Sequence, residues 1–321
     1  MPIEPTTAPQ TMRTVRFHEY GDAADVLRLE TAPLPEPGPG RIRVTVHACG
    51  LAPADWALCG GLFAGLLPRG IGIDVSGTVD AVGPGVSGVA VGDLVVGTAD
   101  WRESTTAGAS DHAVMNRWVP VPAGLDLTEA AALPMAIDTA YRHLALLGLA
   151  PGTTLLVNGA GTTIGFAAVQ IALVRGLRVV ATAGPTHTPA LEQLGATVTS
   201  YGPGLADRVR AAVGGPVDLV LDTAPVTGVL PELVAAAGGE AQHVLTITDI
   251  EHAPALGVRD SFHEDWSHPV DGLAEFVGLA GQGRFSVPIA RRFPLEQWRD
   301  ALELSRSNQA RGKLLLVPGL A

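Results

Sequence analysis

The sequence predicts an α/β fold, with a β-rich first part and a doubly wound parallel sheet after it. Residues 151–185 (PGTTLLVNGAGTTIGFAAVQIALVRGLRVVATAGP) read as strand, glycine turn, helix, strand. From Pro151 to about residue 247, strands and helices alternate, which implies parallel strands covered on both faces. Before Leu127, short runs of strand formers are punctuated by Gly and Pro, as in a barrel-like β domain.

Each element has its local reason. Arg13 to Phe17 and Leu27 to Leu29 read as a short hairpin, with Tyr20-Gly21-Asp22 in the turn region. PLPEPGPG, residues 33–40, is a connector. Arg41 to Ala48 alternates polar and apolar, the mark of a half-buried strand. Gly70 to Val82 and Val89 to Val96 continue in that style, with Gly83-Pro84-Gly85 and Gly92-Asp93 as turns. Thr128 to Leu133 and Ile137 to Leu147 read as helices with Pro134 between them. Strands follow at 154–157, 178–183, 197–200, 217–222 and 243–247, with helices at 163–175, 188–194, 204–213 and 228–236. Near residue 260 the style shifts to helix Asp271 to Ala280, strand Ser286 to Arg292, helix Leu295 to Ser305 and strand Lys313 to Val317. That last strand can rejoin the first sheet. The expected division is a mobile tail 1–12, a substrate domain 13–133 with 259–321, and a dinucleotide-binding domain 134–258.

The glycine turn is the centre of the functional reading. Thr163 can cap a helix that is apolar nearly all round, and Gly176 stops it. A helix N-terminus there offers free N–H groups and a positive dipole end to a pyrophosphate. The spacing Gly159, Gly161, Gly165 is one residue longer than Gly-x-Gly-x-x-Gly. In the six-residue frame from Ala160 to Gly165, Gly165 keeps the packing role, and Thr162 sits where the backbone should come closest to phosphate. An ordinary βα turn of a parallel sheet is the plainer alternative.

Composition excludes several classes. Apolar content of 47% and charged content of 17% over 321 residues allow full cores and argue against disorder. A net charge of −11 disfavours nucleic acid and anionic membranes as partners. No apolar stretch reaches the roughly 18 residues of a membrane span. The start, MPIEPTTAPQTMRT, lacks the apolar core of a signal peptide. Two cysteines, Cys49 and Cys59, make neither a disulfide framework nor a four-cysteine zinc lobe, so a cytoplasmic home is expected.

Taken in order, "VHACGLAPADWALCGGLF", "GIDVSGTVDAVGPGV", "VGDLVVG", "PGTTLLVNGAGTTIG" and "RGKLLLV" resemble the medium-chain dehydrogenase/reductase superfamily, and within it the zinc-free quinone oxidoreductase-like branch. The resemblance covers about residues 12–318. It implies a GroES-like barrel domain and a Rossmann-type domain. Where the zinc-dependent relatives place Cys and His-Glu on the metal, this chain has Ala52 and Ile73-Asp74, so no metal is expected. Without a Lewis acid, alcohol oxidation gives way to hydride delivery onto an enone or quinone carbon. The stretch where NAD-specific units carry an acid reads Ala181 to His187 and holds none, the next being Glu192. NADPH is therefore the expected cofactor, with Thr182, Thr186 and His187 able to bond its phosphate. His187 also reads as a solvated residue before a helix.

The resemblance also implies the site residues. The loop Gly50 to Gly61 should border the nicotinamide, with Ala52 where relatives often carry Asn. Asp55 reads either as a helix cap or as a polar group near substrate. Trp56 and Phe63 line or support the pocket, and His112 sits where a family Tyr often lies. Asp138 and Thr139 fall on the nicotinamide side, Asp138 being either a general acid or a helix cap after Pro134. Gly161, Thr162, Thr163 and Ile164 form the phosphate turn. Thr246, Ile247 and Thr248 end a strand at the edge where ligands bind. A hydrophobic acceptor and a homodimer complete the expectation. The alternative is a non-redox scaffold that binds a hydrophobic molecule and assists cyclisation or isomerisation. It is fed by Ala52 and by the Thr162-Thr163 pair.

Overall fold

The computed structural model describes residues 11–148, 150–265 and 271–320. Most of the expected tail 1–12 lies outside them, and the first strand already begins at Thr11. The chain divides into two compact units: Met1–Met135 with Leu273–Arg284 and Ile289–Ala321, and Ala136–Gly272 with Phe285–Pro288.

The first unit is mostly strand. β1 (Thr11–Phe17) pairs antiparallel with β2 (Arg28–Pro33), and α1 (Ala23–Val26) sits in their connection, capped by Asp22. β3 (Ile42–Leu51) leads into α2 (Pro53–Cys59), and β4 (Arg69–Gly70) returns to β1. β5 (Asp74–Val82), β6 (Leu94–Ala99) and β7 (His112–Pro120) follow in antiparallel order. β3 also pairs with β7, so β3, β5, β6 and β7 close on themselves around Val44, Val75, Val79, Val95 and Met115. In Val89 to Val96 the turn expected at Gly92-Asp93 is present, with Gly92 at φ +99°, and β6 starts only after it, at Leu94.

α3 (Leu127–Ala130) is capped by Asp126, and α4 (Pro134–Leu147) follows. Proline was expected to separate two helices. Instead Pro134 occupies the first helical position, where its missing N–H costs nothing and its fixed φ suits the helix.

The second unit is a parallel sheet. β8 (Thr154–Asn158), α5 (Thr163–Val174), β9 (Arg178–Thr182), α6 (Thr188–Leu194), β10 (Thr197–Thr199), α7 (Leu205–Val213), β11 (Leu219–Asp222), α8 (Leu230–Ala236), β12 (Val244–Thr246) and β13 (Arg259–Asp260) give the order β10-β9-β8-β11-β12-β13. The chain starts at β8, runs outward to β10, then crosses back to β11. The direction of winding therefore reverses between β8 and β11, and ligands of open α/β sheets bind at the C-terminal ends there. The unit runs past residue 258 to Gly272 because β13 extends the sheet beside β12. Residues 285–288 also belong to it: Gln170 Nε2 donates to Ser286 O at 2.7 Å, and Ser286 N donates to Gln170 Oε1 at 3.1 Å.

The first unit is then completed by α9 (Leu273–Gly281), β14 (Ile289–Pro294), α10 (Trp298–Arg306) and β15 (Lys313–Val317). β15 lies between β14 and β3, antiparallel to β3, so the closing strand does rejoin the first sheet. No helix among the described residues is long and apolar enough to cross a membrane.

Candidate functional site

The turn after β8 is built from backbone constraints and threonine hydroxyls. Gly159 takes φ +80°, and a Cβ there would meet Ala224 N at 2.6 Å. At Gly165 a Cβ would lie 2.3 Å from Gly159 O and 2.9 Å from Ala160 Cα. Both glycines are therefore required by close backbone approach. Thr162, not Thr163, is the N-cap of α5: its Oγ1 accepts from Gly165 N at 3.0 Å and lies 3.1 Å from Thr223 Oγ1. Thr223 Oγ1 meets Asn158 O at 2.9 Å. The Thr162 hydroxyl is thus turned back into the loop. Among the described residues, the amides of Gly161, Thr163 and Ile164 have no acceptor, and all three residues are partly exposed.

A lateral belt of side chains supports this turn. Thr182 Oγ1 donates to Asn158 Oδ1 at 2.7 Å and accepts from Gly159 N at 2.9 Å. Asn158 Nδ2 donates to Asp222 Oδ1 at 2.8 Å, and Thr246 Oγ1 donates to Asp222 Oδ2 at 2.8 Å. Burial pushes the Asp222 carboxyl up, against the bonds from Asn158 and Thr246. The belt corrects two cofactor contacts expected from sequence. The hydroxyl protons of Thr182 and Thr246 are spent inside the sheet, and both residues are buried. Thr248 is exposed, and Ile247 N donates to Asp222 O at 3.0 Å.

At the end of β9, Thr186 is exposed and Thr188 Oγ1 donates to Gly184 O at 3.0 Å. His187 is not a solvated loop residue. It is buried, with its ring edge-on to Phe166 at 6.1 Å between centroids and Cδ2 3.1 Å from where a Gly161 Cβ would stand. An open groove of about 390 Å³ beside it is lined by Ala183, Pro185, Thr188, Pro189, Val198, Thr199 and Ser200. No carboxylate lines it. In α4, Asp138 and Thr139 lie in the second turn, so Asp138 is not a helix cap. The carbonyl of Thr139 accepts from His143 Nδ1 at 2.6 Å.

The first unit holds a buried charged cluster at the positions singled out for a metal. Asp55 Oδ2 accepts from Ala52 N at 2.7 Å, and Oδ1 accepts from Gly72 N at 2.8 Å and Ile73 N at 3.0 Å. Asp55 is fully buried with both oxygens engaged, so the geometry carries the capping reading and not that of a group open to substrate. Asp74 Oδ2 accepts from Lys313 Nζ at 2.7 Å and Oδ1 from Met135 N at 2.9 Å. Burial drives the Asp74 carboxyl up to about 6, against the pull of Lys313. Lys313 does more than open its strand. Its partner lies 239 residues away in sequence, which spacing does not reveal. Among the described residues no three His, Cys, Asp or Glu side chains are grouped to hold a metal. Ala52 and Ile73 bring no donor, and the Asp74 carboxylate is already filled by an ammonium and an amide. This donor set does not fit a zinc ion.

Trp56 is a core residue more than a pocket wall. It packs with Trp298 and Leu302, and its Nε1 donates to Ser305 Oγ at 2.9 Å. His112 Nδ1 lies 2.6 Å from Asp80 Oδ2. Burial would raise Asp80, but the bonds from His112 and Arg43 outweigh it and hold the carboxyl low. Phe63 is 48% exposed at φ +52°. Arg69, Trp101 and Arg102 gather around it, and the sequence reading passed over all three.

Comparison with known proteins agrees with both units. Residues 38–125 match the alcohol dehydrogenase GroES-like domain, and residues 194–316 match the zinc-binding dehydrogenase model. The chain is 32% identical over 309 residues to the spectinabilin polyketide synthase system protein NorB of Streptomyces orinoci, covering 90% of this chain but only 14% of that protein. It is 29% identical to the quinone oxidoreductase of Rattus norvegicus, over 97% of this chain and 99% of the relative. The structure of the quinone oxidoreductase from Coxiella burnetii superposes with a TM-score of 0.77 at 25% identity, covering 96% and 99% of the two chains.

Proposed function

We propose that this chain, which belongs to the medium-chain dehydrogenase/reductase superfamily and is quinone oxidoreductase-like, is an NADPH-dependent reductase of a quinone or α,β-unsaturated carbonyl. The observation that carries it is the start of α5. Amides of Gly161, Thr163 and Ile164 without acceptors stand at the switch point of the sheet, and the Thr162 hydroxyl is folded away from them. Such a turn suits a pyrophosphate.

The superfamily works with a nicotinamide dinucleotide, and the residues present fit one. Gly161 to Ile164 would hold the phosphates, and the groove from Ala183 to Ser200 would take the adenosine end. The absence of a carboxylate there supports NADPH over NADH. When bound, the cofactor supplies hydride. The protein's share is to hold the turn rigid through the Asn158–Asp222 belt. Reduction of an enone there would leave an enolate, whose α-carbon would take its proton from water. No zinc takes part, since Asp74 is committed to Lys313.

Titration with NADPH and NADH, followed by nicotinamide fluorescence, tests the reading. Binding of NADPH in preference to NADH, and its oxidation by quinones or enones at 340 nm, is the expected result. If neither nucleotide binds, the reductase reading is abandoned for the non-redox scaffold.

A further inference from the structure

The first unit presents two arginines that its own carboxylates leave unmatched. Arg69 is 2% exposed, yet among the described residues no carboxylate pairs with it; the Tyr20 hydroxyl is within its reach. Its Nη1 donates to Phe63 O at 2.8 Å, its guanidinium lies 5.6 Å from the Trp101 ring, and its Nε is buried without a partner. Buried charges are normally paired, so a guanidinium sealed in without an anion is anomalous. Arg102 is exposed, and its guanidinium stacks over Trp101 at 4.4 Å and over Phe63 at 4.8 Å. Among the described residues none of its N–H groups meets an acceptor. Asp100, two residues earlier, is taken by Arg41 at 2.7 Å and Asn116 at 3.1 Å. Glu103, the next residue, is exposed and makes no ion pair among the described residues.

The platform is also held in place. Phe63 keeps a left-handed φ of +52°, fixed by Arg69 beneath it. Tyr20 OH bonds both the carbonyl of Gly65, at 2.8 Å, and its amide, at 2.6 Å. Strain of this kind, maintained by surrounding bonds, gathers where ligands are clamped. The stacked face of Arg102 fixes the plane of its fork and leaves the N–H edge open. That edge matches the two oxygens of a carboxylate, and the half-exposed Phe63 ring beside it matches a flat apolar frame.

We propose that Arg102, stacked on Phe63 and Trp101 and backed by Arg69, binds the carboxylate of a flat, conjugated ligand. Under the reductase reading, on which this assignment of the ligand as acceptor rests, the acceptor is a conjugated acid. The test is calorimetric titration of the full chain with 2-naphthoate and with its neutral methyl ester. Wild type is expected to bind the acid about tenfold more tightly, the worth of a charge-assisted pair. Arg102→Gln brings that ratio to about one, and Arg102→Lys, which keeps the charge without the fork, falls between. Equal binding of acid and ester by wild type, or a ratio untouched by Arg102→Gln, overturns the proposal. So does inorganic phosphate displacing naphthoate at equal concentration, since that marks a general anion site. Turnover with NADPH of 3-benzoylacrylate and its methyl ester separates the two readings. Reduction of the ester with no preference for the acid leaves the reductase and removes the fork. A naphthoate preference without turnover of any acceptor keeps the fork and removes the reductase.

Discussion

Asp55 and Asp74 occupy neighbouring places in the first unit but do different work. Asp55 satisfies the amides of Ala52, Gly72 and Ile73 in a dry interior. Asp55→Ala strands those donors and is expected to cost about 3 kcal/mol in urea denaturation. A variant as stable as the parent would show that the carboxylate does not hold this loop. Asp74 is raised from 3.8 to about 6, chiefly by burial. A carboxyl with a folded pKa above its unfolded one stabilises the fold in its protonated form. Its contribution is therefore complete below about pH 4 and lost as the pH rises through about 6. Asp74→Asn should flatten that part of the stability curve, read as urea midpoint against pH. Asp55 and Asp222 are shifted in the same direction, so the variant removes only part of the slope. The acids themselves were legible in sequence, but their partners were not. A pairing of Asp74 with Lys313 comes from sheet register, and nothing local to either residue encodes it.

The glycine turn and α5 were the most legible element, because their information is local. Glycines needed for φ or for close approach, a capping hydroxyl and an apolar helix all fall within the sixteen residues from Gly159 to Val174. Gly165→Ala drives a methyl into Gly159 O and Ala160 Cα, and is expected to abolish nucleotide binding while costing about 1–3 kcal/mol. Thr162→Ala removes the cap and the contact with Thr223 Oγ1 but adds no clash, and costs about 1 kcal/mol by denaturant midpoint. Nucleotide titration of the two variants distinguishes a required backbone shape from a merely favourable hydroxyl. The surroundings were less legible. Pro134 was misread because proline both ends and opens helices, and only the tertiary course shows which. Trp56 is expected to line or support a pocket because the resemblance sets its loop beside the nicotinamide, and a resemblance does not say which way an aromatic side chain faces. The bond to Ser305 and the contact with Trp298 settle that residue in the core.

At the scale of the molecule, the alternation of elements foretold a parallel sheet, and the Gly/Pro punctuation foretold the barrel. Residues 259–265 and 285–288, expected in the first unit, belong to the second. What holds them in the second unit is one short edge strand and the bonds between Gln170 and Ser286. A homodimer is the expected state in solution, and light scattering giving twice the 33.0 kDa chain mass is its check.

The place of β15 between β14 and β3 has a consequence for biosynthesis. All the strands of the parallel sheet leave the ribosome before Lys313 does, so that sheet can form while its neighbour is still incomplete. Until residues 313–317 arrive, the edge of β3 from Cys49 to Leu51 has its amides and carbonyls unmatched, the kind of rim to which other nascent chains adhere. The vulnerable interval in the life of this protein is therefore its translation, and chaperones that shield open strands are the helpers it would need then.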